Sequence, residues 1–125
     1  MIDTARIDDW LARYRRAWAS DDPDEIGGLF TEDVRYFTAP FRDAIAGREA
    51  VLTWWREEKE SEIPWTFNYE VIAQEGDRYV VRGITRYPEG EQGVGHAEVF
   101  HNLWLVTVDA EGRASEFIEY WMLVE

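Results

Sequence analysis

The chain contains no cysteine. Disulfides, thiolate nucleophiles and cysteine-held metals are therefore excluded. Basic residues are scarce: 13 Lys and Arg stand against 26 Asp and Glu, a formal net charge of −13. No basic run or basic helix face offsets this, so nucleic acid and anionic membrane surfaces are repelled and are not expected as partners. The acidic balance reads first as a solubility feature. No apolar run reaches membrane-spanning length. The first residues, Met1-Ile2-Asp3-Thr4, have neither the basic nor the apolar region of a signal peptide, and the expected location is cytoplasmic. Serines are few (Ser20, Ser61 and Ser115), and none sits in a nucleophile elbow. The glycines at 90, 93 and 95 precede a predicted strand, not a helix, so they make no phosphate cradle. With no nucleotide, flavin or haem motif, no cofactor is expected. Repeats, low-complexity tracts and linkers are also lacking, and residues 1–125 read as one domain.

Aromatic residues are abundant: seven Trp, six Tyr and six Phe, enough both to pack a core and to line a cavity. Ile7, Trp10, Leu11, Tyr14 and Trp18 recur at helical spacing and predict an amphipathic helix. Asp3 or Thr4 caps its start, and Ser20-Asp21-Asp22-Pro23 stops it. A short second helix follows, capped by Asp22, with Pro23 in its first turn and Glu25 at capping-box spacing. Its apolar residues are Ile26, Leu29 and Phe30. A short strand is predicted over Val34–Thr38, and Pro40 ends it. Gly47 then opens a third helix, whose narrow apolar face is Val51, Trp54 and Trp55, in a region that Pro64 closes.

Four long strands are predicted next: Trp65–Gln74, Arg78–Tyr87, His96–Val108 and Arg113–Val124. Their mostly short turns make them antiparallel neighbours, and strands this long must twist and bend. Side chains alternate between faces. In the third long strand Glu98, Phe100, Asn102 and Trp104 share one face and Val99, His101, Leu103 and Leu105 the other; in the last, Phe117, Glu119 and Trp121 oppose Ile118, Tyr120 and Met122. Both faces carry large apolar groups, which a sheet with one solvated face would not. One face should meet the helices; the other most economically meets a second copy of the chain, giving a homodimer.

This order of elements resembles the nuclear transport factor 2-like superfamily, and within it the SnoaL-like and ketosteroid isomerase-like branch. The residues that carry the resemblance are Ala12-Arg13-Tyr14, Pro40-Phe41, Gly47-Arg48-Glu49, and Asp109-Ala110-Glu111-Gly112-Arg113 leading to Glu119-Tyr120-Trp121. The resemblance implies an α+β fold in which a cone-shaped, curved antiparallel sheet wraps over the three helices. It also implies a pocket on the concave face and usually a homodimer. The isomerases of the family carry a catalytic Asp just before the Pro-Phe pair, where this chain has Ala39, and Trp104 stands where their main acidic oxyanion donor is expected. Tyr14 matches their first-helix tyrosine. Steroid-type isomerisation is therefore not carried over, and fold alone does not assign a reaction.

On the same alignment Phe100, Asn102, Trp104, Phe117, Glu119 and Trp121 face the cavity, with Trp18 and Trp54 serving as further ligand platform or as core. Glu119, flanked by Phe117 and Trp121, is the candidate general acid or base, because a dry carboxyl is shifted towards neutral pH. Asn102 is placed to orient it, and Tyr14 to donate to a substrate oxygen. The alternative is that Glu119 pairs with a base such as Arg82 and only organises the interior. Asp43, in the loop after Pro40-Phe41, and His96, at the pocket mouth, are the further catalytic candidates; each has a structural alternative. His96 and His101 point to opposite faces, and His96 with Glu98 has no third ligand, so no metal site is expected. The expected ligand is a small apolar molecule. The reading divides between cofactor-independent acid–base chemistry on a small oxygenated compound (isomerase, cyclase, dehydratase or hydrolase type) and a non-catalytic binding protein or dimeric assembly domain.

Overall fold

The computed structural model describes residues 3–58, 65–90 and 95–124. The aromatic stripe forms α1 (Ala5–Ser20), which buries Ile7, Trp10, Leu11, Tyr14 and Ala17. Asp3 closes its first turn by accepting from the Ala5 N–H at 3.0 Å, while the Thr4 hydroxyl instead donates to Asp8 at 2.7 Å. Asp21, in the left-handed region at φ 57°, ends the helix, and its N–H donates to the Ala17 carbonyl. The second helix, α2 (Pro23–Gly27), is capped by Asp22, whose carboxylate accepts from the Asp24 N–H at 2.9 Å. Glu25 does not complete a capping box: its carboxylate faces Ser20 and Arg16, and the Asp22 N–H donates to the Ser20 hydroxyl.

Leu29 and Phe30 do not belong to α2. The helix ends before Gly28, and β1 (Phe30–Phe37) starts four residues earlier than the sequence predicts. Phe30 is fully buried in the strand, so a burial signal that fits either state resolves to the extended one. The two-residue β2 (Ile45–Ala46) was not predicted; it pairs antiparallel with Tyr36 and Arg35. Gly47 adopts φ 93°, which suits glycine. Its N–H donates to the Val34 carbonyl at 2.7 Å, and its carbonyl accepts from Val51, which starts α3 (Arg48–Glu58). Val51 and Trp55 are its buried face. Pro64 and part of the 88–95 loop lie outside the described residues.

The long strands are β3 (Thr66–Glu75), β4 (Arg78–Tyr87), β5 (Glu98–Val108) and β6 (Ala114–Leu123). β5 starts two residues later than predicted, leaving His96 in the preceding bend. The sheet order is β2-β1-β6-β5-β4-β3. It is a mixed sheet and not purely antiparallel, because β1 runs parallel to β6. Register shifts place extra residues in β1, in β3 and, at Ser115, in β6, bulges that increase local twist and help the sheet curve. The α+β cone follows: the helices pack on the concave face, and one cluster built from α1, α2, α3 and that face forms the core. The alternation holds strictly in β4, where Tyr79, Val81, Gly83 and Thr85 turn inward and Arg78, Arg82 and Arg86 outward. Among the described residues no helix is long and apolar enough to cross a membrane.

Candidate functional site

The polar groups of the concave face converge on one carboxylate. Strand register sets Glu119 of β6 directly opposite Trp104 of β5, with Asn102 one inward position along. The Asn102 amide and the Trp104 indole N–H both donate to Glu119 Oε2, each at 3.0 Å. The Thr85 hydroxyl, inward on β4, donates to Asn102 Oδ1 at 2.7 Å. That bond holds the amide so that its NH₂ group faces the carboxylate. Asn102 and Thr85 are buried, and Glu119 is half-buried. Arg82 is not the partner of Glu119: it lies on the convex face and pairs with Glu70.

A stack of rings supports this carboxylate. Tyr36 lies on Phe117 at 4.6 Å and 11°, Tyr14 lies near-parallel to Phe117 at 6.3 Å, and Trp18 follows Tyr14 at 6.1 Å. Phe117 is two residues from Glu119 on the same face, so the stack brings the phenols of α1 and β1 into electrostatic reach of the carboxylate. Burial, then electrostatic coupling to the Tyr36 hydroxyl and to the Glu119 charge, holds the Tyr14 hydroxyl well above its ordinary range. Burial and the Glu119 charge do the same to Tyr36. Both phenols therefore stay protonated at any physiological pH, hydrogen-bonded to one another in the field of the Glu119 carboxylate. Tyr87 also acts on Tyr14 electrostatically.

The floor beneath is filled with the chain's own rings. Phe117 is fully buried among Trp10, Tyr14, Tyr36 and Trp104. Trp104 stacks on Phe67 at 4.6 Å. Trp54 packs against Tyr36, and Trp18 against Trp55 and Trp65. Further out, Phe100 meets Tyr87 and Trp121 edge-on, and Trp121 is 52% exposed. The candidates thus separate into a floor (Phe117, Trp104), a half-buried surround (Trp18, Trp54, Phe100) and an exposed rim (Trp121).

Asp43 and His96 are not brought into this cluster. Asp43 is exposed in the loop between β1 and β2. His96 is exposed ahead of β5, whereas Glu119 lies opposite Trp104, six residues beyond Glu98 and roughly 20 Å along the strand. Tyr36 and Thr85 were missed. Their only signal was alternation: Tyr36 shares a face with Val34, and Thr85 with Tyr79 and Val81. Among the described residues no group of three His, Asp or Glu could hold a metal ion.

The sequence profile of the SnoaL-like domain matches residues 11–117, most of the chain. This chain belongs to the SnoaL-like domain family. Comparison with curated proteins gives no match. Among solved structures, this SnoaL-like domain resembles SalBIII, described as an epoxide hydrolase/cyclase-like enzyme with a role in pyran ring formation in the polyether salinomycin. The TM-score is 0.73 at 18% identity, over 98% of this chain and 95% of that one. It also resembles a protein from Shewanella putrefaciens CN-32 described as SnoaL-like polyketide cyclase (TM-score 0.71, 15% identity, 90% of this chain and 77% of that one). A third likeness is to an LEH-like epoxide hydrolase of M. tuberculosis (TM-score 0.67, 14% identity, 90% and 80%). At these identities the likenesses show the shared fold.

Proposed function

We propose that this SnoaL-like domain binds a small, neutral, largely apolar, oxygen-bearing molecule on its concave face and catalyses cofactor-independent proton transfer through Glu119. The observation that carries this reading is the pairing of opposite roles at one place. Glu119 is a carboxylate fixed through one oxygen by Asn102 and Trp104, and Tyr14 and Tyr36 are phenols held in the donor state beside it. A base and neutral donors in a largely apolar setting are what isomerisation, cyclisation or ring opening of such a molecule requires: one removes a proton while the others steady charge on oxygen. The carboxylate itself disfavours an anionic ligand, as does the chain's charge of −13. The proteins of similar fold described as cyclases and epoxide hydrolases support that reaction class.

The test is turnover of a panel of cyclic ketones and epoxides by the native protein and by Glu119→Gln. Glu119→Gln keeps the shape and removes the base, so the rate should fall by about 10²–10⁴-fold. Equal rates would remove Glu119 from the mechanism. The ring-filled floor favours a second reading, a binding protein without chemistry. Saturable binding without product that survives Glu119→Gln but collapses in Trp121→Ala would establish it.

A further inference from the structure

Phe41 is doubly unfavourable where it stands. Its ring is 102% exposed; the next most exposed large apolar side chain among the described residues, Met122, reaches 61%. Its backbone lies at φ 65°, in the left-handed region, where a bulky side chain crowds its own carbonyl. Among the described residues the other non-glycine with positive φ is Asp21, which has a reason for it: it ends α1. Phe41 ends no helix. A ring so exposed packs against nothing in the chain, so the fold gains nothing in return for the strain. Strain and exposure held together at one residue point to a role outside the fold.

Its place in the sheet suggests what that role is. β1 runs parallel to β6, and its last paired residue, Phe37, lies opposite Ile118. Strands paired in parallel advance together, so Thr38 draws level with Glu119. The connection over residues 38–44, which carries Phe41, therefore leaves the sheet at the border of the carboxylate site. β6 runs on to Leu123, and its pairing with β1 has ended by then. Trp121 stands on that free stretch, on the face of Glu119 and 52% exposed. Just before the connection, Tyr36 faces the site and packs on Trp54 of α3 at 5.1 Å.

The filled floor indicates what Phe41 would meet. Phe117 and Trp104 occupy the bottom of the concave face, so a molecule that reaches Glu119 must keep its apolar body near the rim. That body stays wet unless something covers it. Resting on the reading of Glu119 as the site, we infer that Phe41 is the cover: its ring turns onto the apolar body of the bound molecule, opposite Trp121, and both leave water. Returning φ from the left-handed to the ordinary region re-aims the Cα–Cβ bond, so relief of strain and burial of the ring act in the same direction. The ligand this arrangement fits has two parts. An oxygen-bearing end meets the carboxylate, and a ring-bearing apolar body lies at the rim between two aromatic side chains. Phe41 is then a residue that positions and selects the ligand and takes no proton.

The test compares two ketones by tryptophan-fluorescence titration. Cyclohexanone ends near the carboxylate, whereas the second ring of 2-decalone extends to the rim. Phe41→Ser should weaken 2-decalone about ten-fold, in keeping with the burial of most of a phenyl ring, and should change cyclohexanone by less than about two-fold. Phe41→Leu should recover most of the loss. Phe41→Gly, which suits φ 65°, should melt no lower than the native protein. The cysteine-free chain permits a single label. Acrylodan on Phe41→Cys should shift to the blue as 2-decalone saturates; acrylodan on Glu111→Cys, in the turn between β5 and β6, should not. Equal affinity of the native protein and Phe41→Ser for 2-decalone overturns the role of Phe41 and leaves the Glu119 reading standing. So does an equal loss for both ketones, or a lower Tm in Phe41→Gly, which would make Phe41 part of the fold. Failure of the native protein to bind either ketone defeats the Glu119 reading and this inference with it.

Discussion

Gly83 lies in the middle of β4, facing the core, where a glycine ordinarily weakens a strand. On propensity alone Gly83→Ala should stabilise by roughly 0.5–1 kcal/mol. The packing reverses the sign. A Cβ at Gly83 would sit 2.4 Å and 2.5 Å from two carbons of the Phe67 ring and 3.1 Å from the Asn68 carbonyl oxygen. The carbonyl belongs to the paired strand and cannot retreat, so the ring must move. Phe67 is 5% exposed and is held between Tyr69 at 5.8 Å and Trp104 at 4.6 Å, with the Arg15 guanidinium 5.7 Å from its centre. Overpacking of such a site costs about 1–3 kcal/mol. For a chain of this length that is a fall in Tm of roughly 5–15 °C. The assay is thermal or urea unfolding of the native protein, Gly83→Ala, Phe67→Leu and the double variant. Shrinking the ring should relieve the added methyl, so the double variant should lie at least about 0.5 kcal/mol above the sum of the single effects. A Gly83→Ala protein as stable as the native one would refute the reasoning. The displaced ring also pushes on Trp104, so the variant should disturb the indole that donates to Glu119.

Three further outcomes follow from the same geometry. Thr85→Val, close in shape, removes the donor to Asn102 Oδ1 and should cost about 1–2 kcal/mol, read by urea unfolding; no loss would mean the amide is held by other groups. Tyr14 and Tyr36 have folded-state values above their unfolded ones, so the stability they give is complete below about pH 10 and falls as pH rises further, by about 1.4 kcal/mol per pH unit for each. Alkaline difference absorbance should show two tyrosines ionising only on unfolding, after Tyr69, which burial and its hydrogen bond to Asp8 push up to about 12. Trp10→Phe removes the indole N–H donated to the Leu29 carbonyl at 2.9 Å, leaving that carbonyl only its bond from the Ala114 N–H, and opens a gap against Phe30 and Phe117, a loss of about 1–3 kcal/mol by chemical denaturation.

Much of this architecture was legible in the sequence because its signals are local. The α1 stripe, the Asp22–Pro23 start of α2 and the bounds of β4 follow from spacing and turn chemistry. The start of β1 was not legible: Leu29 and Phe30 are apolar in either state, and what makes Phe30 a strand residue is its pairing with Ala114, far away in sequence. The parallel β1–β6 contact is non-local for the same reason. Alternation paired Asn102 with Trp104 and Phe117 with Glu119 on their own strands; that the two pairs share the concave face was what the family resemblance implied, and the register sets Glu119 opposite Trp104. It could not show that Phe117 would be sealed beneath Tyr36 and Tyr14, because that depends on how β1 and α1 dock. Tyr36 and Thr85 escaped notice because they come from strands other than those that carry the carboxylate. His96, read as the first residue of β5, lies in the bend before it, away from the bonded Glu119 cluster.

The central claim is that the Glu119 cluster receives a neutral oxygenated molecule beside a fixed carboxylate. The most direct measurement is a tryptophan-fluorescence titration of the native protein and Glu119→Gln with two ligands of one apolar skeleton, a cyclic ketone and the matching carboxylic acid. The native protein should bind the ketone and reject the acid at neutral pH, and Glu119→Gln should admit the acid at least ten-fold more tightly than the native protein does. Equal affinity of both proteins for the acid, or no saturable signal with either ligand, would contradict the account.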